Sequence, residues 1–215
     1  KENRMHDLVI FDCDGVLVDS EVVSNTVLAA NLERHGLSLT VRECMAQFVG
    51  GTMAGVHLQA REMGAALPDS WVEDVYAEIY AALRTATPLV EGVEALLERL
   101  ESAGVRFCVA SNGSPEKMQI TLGQNNMMHR FKDAMFSAHV LGTAKPDPDL
   151  FIAASTAMGG RRPVVIEDSP SGALAAQRAG YRCLGFAPHD DGARLAALGA
   201  EVFQDMAQVP GLIGL

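Results

Sequence analysis

No stretch of the 215-residue sequence offers the roughly 18 consecutive apolar residues that a membrane-spanning helix needs. The opening Lys1-Glu2-Asn3-Arg4-Met5 runs straight into an apolar, strand-like segment, without the longer apolar core of a signal peptide. Cysteine is scarce: Cys13, Cys44, Cys108 and Cys183 lie far apart, with no Cys-x-x-Cys pair and no histidine at metal-ligand spacing. That argues against a zinc site or a disulfide framework, and reduced thiols fit a cytoplasmic location. Positive charge is short as well. Seventeen Lys and Arg face 27 Asp and Glu, a net charge of −10, so the surface field repels nucleic acid and anionic lipid. A small anionic substrate remains admissible, because one bound cation or one local positive site outweighs the global field. What is present is ordinary for a globular chain, 48% apolar and 20% charged residues. The length suits one domain, or one domain with a modest insertion, and buries a core without covalent staples.

Leu8 to Phe11 is a short all-apolar run ending in acids, which reads as a strand buried on both faces. Val105 to Ala110, Pro163 to Ile166 and Tyr181 to Gly185 repeat the pattern. Helix-period stretches separate them: Val93 to Ala103, Pro115 to Asn125, Leu150 to Met158 and Ser171 to Ala179, with Gly104 and Gly180 where helix C-caps are expected. This alternation predicts an α/β fold with a doubly wound parallel sheet. From about Ser20 to Thr87 the rhythm breaks. Only helical periodicity is found there, over Val22 to Arg34, Ala54 to Glu62 and Trp71 to Leu83, with Pro68 and Pro88 as punctuation. The segment is read as an all-helical second domain (19–87) inserted into a core of 1–18 and 88–215, and from Glu21 to Arg84 the net charge is −4. Trp71, Tyr76 and Tyr80 sit at packing spacing within it, and Arg42, His57, Arg61 and Arg84 read as solvated helical charges.

Chemistry concentrates at the strand ends, where ligands of open parallel sheets bind. The first strand ends in Asp12-Cys13-Asp14-Gly15, and two carboxylates at i, i+2 converge on one cation if Gly15 turns the chain. Cys13, between them, reads as a small buried residue. The second ends in Ser111-Asn112-Gly113-Ser114-Pro115, a candidate anion cradle before a helix that Ser114 would cap with Pro115 at its first position. Lys145-Pro146-Asp147-Pro148 holds one of only four lysines in a two-proline loop, suited to neutralising a phosphoryl group. The fourth motif, Glu167-Asp168-Ser169, places two acids at the end of a buried strand, costly unless they meet a cation. Hard oxygen ligands of this kind suit Mg²⁺.

In that order the four motifs resemble those of the haloacid dehalogenase-like superfamily with a helical cap: FDCDGVLVDSE (11–21), VASNG (109–113), AKPDP (144–148) and VIEDSPSG (165–172). The resemblance spans nearly the whole chain and is strongest to the β-phosphoglucomutase and phosphoglycolate-phosphatase-like branch. It implies a Rossmann-like core with Asp12 as nucleophile, forming an aspartyl-phosphate. It further implies Asp14 as general acid and then base, and Ser111 and Lys145 holding the phosphoryl oxygens. Mg²⁺ would be bound by Asp12, the backbone carbonyl of Asp14 and Asp168, with Glu167 close by or acting through water. The carboxylate of Asp14 points to phosphoryl rather than dehalogenase chemistry. All four lysines fall outside the cap, against a phosphonate-cleaving Schiff base.

The expected reaction is hydrolysis of a small phosphomonoester: a sugar phosphate, a phosphosugar acid or phosphoglycolate. The expected partner is thus a small phosphorylated metabolite, for a monomer or weak dimer. Cap residues Gly50, Gly51 and Thr52, with Ser111 and Asn112, are the candidate substrate contacts. The alternative is a β-phosphoglucomutase-type mutase; at the positions of that family's loop arginine and its histidine after the first motif stand Met53 and Ser24. Neither supplies the bidentate phosphate contact a bisphosphate intermediate needs. A non-catalytic phosphometabolite-binding domain is the third reading.

Overall fold

The computed structural model describes residues 6–48 and 52–215. Two compact units emerge, one from the segments ending at Val18 and running from Pro88 to Leu215, the other from Asp19–Thr87. The first unit carries β1 (Leu8–Phe11), α5 (Val93–Ser102), β2 (Arg106–Ser111), α6 (Pro115–Gln124), β3 (Met135–Ser137) and α7 (Ala138–Leu141). It continues through α8 (Asp149–Ala157), β4 (Pro163–Glu167), α9 (Pro170–Ala179), β5 (Arg182–Phe186), α10 (Ala193–Ala196), β6 (Glu201–Phe203) and α11 (Val209–Ile213). Among the described residues the strands form one six-stranded sheet in the order β3-β2-β1-β4-β5-β6, every pair parallel.

The unbroken apolar run of β1 follows from its central place. Val9 and Phe11 pack on one face with Phe107, Val109, Val164 and Ile166 under α5 and α6, burying Leu97, Leu100, Met118 and Leu122. Leu8 and Ile10 face the other way, with Cys108, Ala110 and Val165 against Phe151 and Ala154 of α8 and Ala173 and Ala176 of α9. A parallel strand covered on both faces has no polar side to show. Phe11 aligns with Val109 of β2 and with Ile166 of β4, so Asp12, Ser111 and Glu167 crown three adjacent strands. After β3 the chain crosses back to the other side of β1, and the reversal of strand order between β1 and β4 opens the crevice that such folds use for ligands.

The structure corrects several element boundaries. β2 and β5 begin and end one residue later than predicted, and β4 runs on through Glu167. β3 and β6, absent from the sequence reading, are three-residue edge strands with partly exposed positions, too short to show a period.

The Asp19–Thr87 unit contains α1 (Glu21–Arg34), α2 (Val41–Phe48), α3 (Met53–Glu62) and α4 (Trp71–Thr85), and no strand among its described residues. α2 was not predicted, although Thr40-Val41-Arg42-Glu43 carries a capping-box spacing. The Glu43 N–H donates to Thr40 Oγ1 at 3.2 Å and the Thr40 N–H to Glu43 Oε2 at 2.8 Å. Trp71 is buried as expected. Its indole N–H donates to Asn31 Oδ1 at 2.6 Å, and Asn31 Nδ2 donates to Glu78 Oε1 at 3.1 Å, so the buried amide is satisfied. His57, read as a solvated charge, instead stacks on Trp71 with ring centroids 5.6 Å apart.

Candidate active site

Asp12 continues the β1 ladder one residue past the strand, its N–H donating to the Ile166 carbonyl at 3.0 Å. The buried carboxylate thereby emerges beside Glu167, the last residue of β4. Gly15 makes the turn that the sequence reading required of it: its φ is +79°, and a Cβ there would strike the Asp168 carboxylate. Cys13 is buried between the two aspartates. Burial first, then the flanking Asp14 and Asp12 charges, raise its thiol well above the usual range, which leaves it inert.

Glu167 is fully buried and its charge is met from two sides. Oε1 accepts from Lys145 Nζ at 2.6 Å. Oε2 accepts the backbone N–H groups of Asp168 (3.2 Å) and Ser169 (3.1 Å) and the Ser169 hydroxyl (2.9 Å). These donors form the N-terminus of α9, where the helix dipole favours an anion. The Ser169 hydroxyl oxygen also caps that helix by accepting the Gly172 N–H at 3.1 Å. The carboxylate is packed so closely on α9 that a Cβ at Gly172 would occupy its place.

Lys145 joins the strand ends. Its buried ammonium lies 2.5 Å from Asp12 Oδ1 and 2.6 Å from Glu167 Oε1, and 4.9 Å from the centre of the Phe151 ring. Burial alone would push its pKa down; the Asp12 and Glu167 carboxylates outweigh that and hold it well above the ordinary lysine range. Asn112, expected among the substrate contacts, bonds the Lys145 backbone through its amide. Oδ1 accepts the Lys145 N–H at 2.9 Å and Nδ2 donates to the Lys145 carbonyl at 3.3 Å. These two bonds brace the lysine loop.

The buried Ser111 hydroxyl ends β2 and accepts the Gly113 N–H at 2.9 Å, which leaves its own O–H to donate. Ser114 caps α6 by accepting the Lys117 N–H at 3.1 Å, with Pro115 at the first turn, as the sequence indicated. The Asp14 carboxylate is paired with Lys117 Nζ at 2.9 Å. Lys117 was missed as a site residue; the available signal was its position in the first turn of the helix that follows the Ser-Asn-Gly loop.

Of the expected cation ligands, Asp12, Glu167 and Asp168 each bring an oxygen within 4.8 Å of the others. The Asp14 side chain does not belong to that group. The set is all carboxylate, which fits Mg²⁺, and Glu167 is already held by Lys145 and α9. Burial raises the Asp12 carboxyl most; Lys145 draws it down, Glu167 and Asp14 push it up again, and it settles at about 7. Of the remaining predicted contacts, Gly50 and Gly51 lie outside the described residues. Thr52 caps α3, its hydroxyl accepting the Gly55 N–H at 3.1 Å.

The packing at Gly172 gives a counter-intuitive expectation. Ala is intrinsically favoured over Gly inside a helix by about 1 kcal/mol. Gly172→Ala should nonetheless lower both thermal stability and turnover, turnover by about ten-fold or more, because the methyl displaces Glu167 and with it Lys145. Thermal melting and steady-state kinetics of the variant check this; a stabilised, fully active protein would refute it.

The haloacid dehalogenase-like hydrolase family model matches residues 6–180. A 6-phosphogluconate phosphatase of Escherichia coli (strain K12) is 31% identical over 208 residues, covering 95% of this chain and 93% of that protein. Among solved structures, a conserved haloacid dehalogenase-like protein from Agrobacterium tumefaciens str. C58 superposes with a TM-score of 0.87 at 32% identity, covering 97% of this chain and 98% of that one. A HAD family hydrolase from Deinococcus radiodurans R1 with bound phosphate and sodium gives a TM-score of 0.84 at 30% identity, covering 97% and 95%. With the motifs gathered at the carboxyl edge of one parallel sheet and the match running along the chain, this protein belongs to the haloacid dehalogenase-like hydrolase family.

Proposed function

We propose that this phosphoric monoester hydrolase is a Mg²⁺-dependent phosphatase of small phosphorylated metabolites that works through a phosphorylated Asp12. The observation that carries the reading is the buried Lys145 ammonium clamped between Asp12 and Glu167. A lysine so fixed orients one Asp12 oxygen and presents positive charge where phosphoryl oxygens gather. Asp12 attacks phosphorus, forming the aspartyl-phosphate as the bond to the leaving alkoxide breaks, and Asp14 gives that oxygen its proton. Asp14 then takes a proton from water, which attacks the same phosphorus and releases inorganic phosphate and the free Asp12 carboxylate. Ser111 donates its O–H to a phosphoryl oxygen beside Lys145. Asp12 and Asp168, with Glu167 close by, would hold the Mg²⁺, whose contribution is charge neutralisation at the phosphoryl group.

The E. coli relative named a 6-phosphogluconate phosphatase, similar over almost its whole length, supports a phosphosugar acid or related sugar phosphate as substrate. Hydrolysis is favoured over mutase transfer because Ser24 and Met53 offer no cationic hold for a second phosphate. A panel of some dozens of small phosphomonoesters, assayed with Mg²⁺ and with chelator, tests the proposal. Release of phosphate from sugar phosphates or phosphosugar acids that stops with chelator and returns with Mg²⁺ is expected. Inertness across the panel, or a clear preference for nucleotides or phosphopeptides, would contradict it.

Cation binding should depend on pH. With Asp12 raised to about 7, the metal-free site carries a proton below that pH, and Mg²⁺ must displace it. Affinity should therefore weaken as pH falls from 8 to 6. Calorimetry at pH 6 in two buffers of different ionisation heat should show net proton release, and a pH-independent affinity would contradict the assignment of Asp12 to the cation.

A further inference from the structure

Lys117 takes no part in the contacts among Asp12, Lys145 and Ser111, yet its ammonium lies 2.9 Å from Asp14 Oδ2, and both side chains are less than a quarter exposed. Its position is electrostatically poor for a lysine of no purpose. It sits in the first turn of α6, a helix start fixed by the Ser114 cap and Pro115, where the dipole favours anions and opposes an ammonium. The Asp14 carboxylate offsets that repulsion. Gly113 is the meeting point: a Cβ there would stand 3.2 Å from Ser111 Oγ, 3.6 Å from Asp14 Oδ2 and 3.7 Å from Lys117 Cδ. The stem of Lys117 thus passes along a glycine, and its head holds the Asp14 carboxylate on the side of Ser111.

Charge balance points the same way. Asp12, Asp14, Glu167 and Asp168 bring four carboxylates to the strand ends, and Lys145 and Lys117 bring two ammonium groups. With all four ionised, a divalent cation brings the formal sum to zero, and Lys117 is the ammonium that answers Asp14 as Lys145 answers Asp12 and Glu167.

We infer that Lys117 is the positioning residue of the acid–base group, pinning Asp14 beside Ser111 so that it faces the leaving and attacking oxygens instead of rotating into solvent. The inference rests on the phosphatase reading of Asp14. It predicts damage confined to proton transfer, and leaving groups that differ in their need for a proton expose it. Nitrophenolate departs without one, an alkyl alkoxide does not, and water attack on the phosphorylated enzyme needs Asp14 in either case.

The test compares Lys117→Met with the wild-type enzyme on p-nitrophenyl phosphate and on an alkyl phosphate such as glycerol phosphate, with Mg²⁺ saturating. The variant should release one equivalent of nitrophenolate per site in a burst and then turn over about 10²-fold more slowly. On the alkyl phosphate kcat should fall at least as far, with no burst and KM unchanged within about two-fold. Lys117→Arg should restore most of both rates. In an Asp14→Asn background Lys117→Met should cost nothing further, since the lysine acts through that carboxylate. A rise in KM with kcat intact would overturn the inference and make Lys117 a direct anion contact. So would equal losses on both substrates without a burst, or undiminished damage in the Asp14→Asn background. If Lys117→Met does not fold, Lys117→Gln carries the same comparison. A wild-type enzyme inert on every phosphomonoester is a different failure, that of the phosphatase reading itself.

Discussion

Asp12→Asn is expected to lower turnover of a small phosphomonoester by about 10⁴-fold or more, the scale on which enzymes lose rate when a nucleophile is removed. The carboxamide has the shape of the carboxylate but cannot form the acyl phosphate. The fold should survive and gain stability. Asp12 is buried, shares Lys145 with Glu167, and has Asp14 and Asp168 close by, so the native site concentrates like charge that its chemistry requires and its stability does not. The melting temperature of the metal-free variant should equal or exceed that of the wild type. A variant that melts lower, or keeps a tenth of wild-type turnover, would mean that Asp12 is structural.

Lys145→Met should do the opposite to stability and much the same to activity. It leaves Asp12 and Glu167 buried together without their shared cation, and breaking a buried pair from one side costs about 3–5 kcal/mol. For a chain of this size that lowers the melting temperature by on the order of 10 °C. Loss of a preorganised cation at the phosphoryl group costs a further ~10²–10³-fold in kcat. Adding Glu167→Gln to Lys145→Met should recover part of the stability and none of the activity, because it removes the uncompensated charge but not the need for the ammonium. Equal stability of Lys145→Met and wild type would show that the short contacts to Asp12 and Glu167 contribute nothing net.

The sequence was most legible where one residue answers to one local cause. β1 is legible to the residue because both its faces are buried, and Ser114 and Gly15 are recognisable from capping and turn chemistry. Edge strands β3 and β6 were not, because three half-covered residues carry no periodicity. α2 was passed over although its capping box was in plain view. The division of labour within the site was the least legible part. Asn112 looks like a ligand-facing amide in its own loop, and only the fold brings Lys145, 33 residues on, into its reach. Glu167 reads only as an acid near the cation, and its surroundings make it also the anchor of Lys145 and of α9. Lys117 pairs with Asp14 across two strand ends, a contact that no spacing announces.

The central claim, that Asp12 carries the phosphoryl group during turnover, is tested most directly by reductive trapping. An acyl phosphate is reduced by borohydride to an alcohol, so quenching the working enzyme with borohydride should convert the trapped aspartate to homoserine. Peptide mass spectrometry should locate homoserine at position 12 and nowhere else, only when substrate and Mg²⁺ are both present. Homoserine at Asp14 or Asp168, or none at all in an enzyme that turns over, would contradict the mechanism.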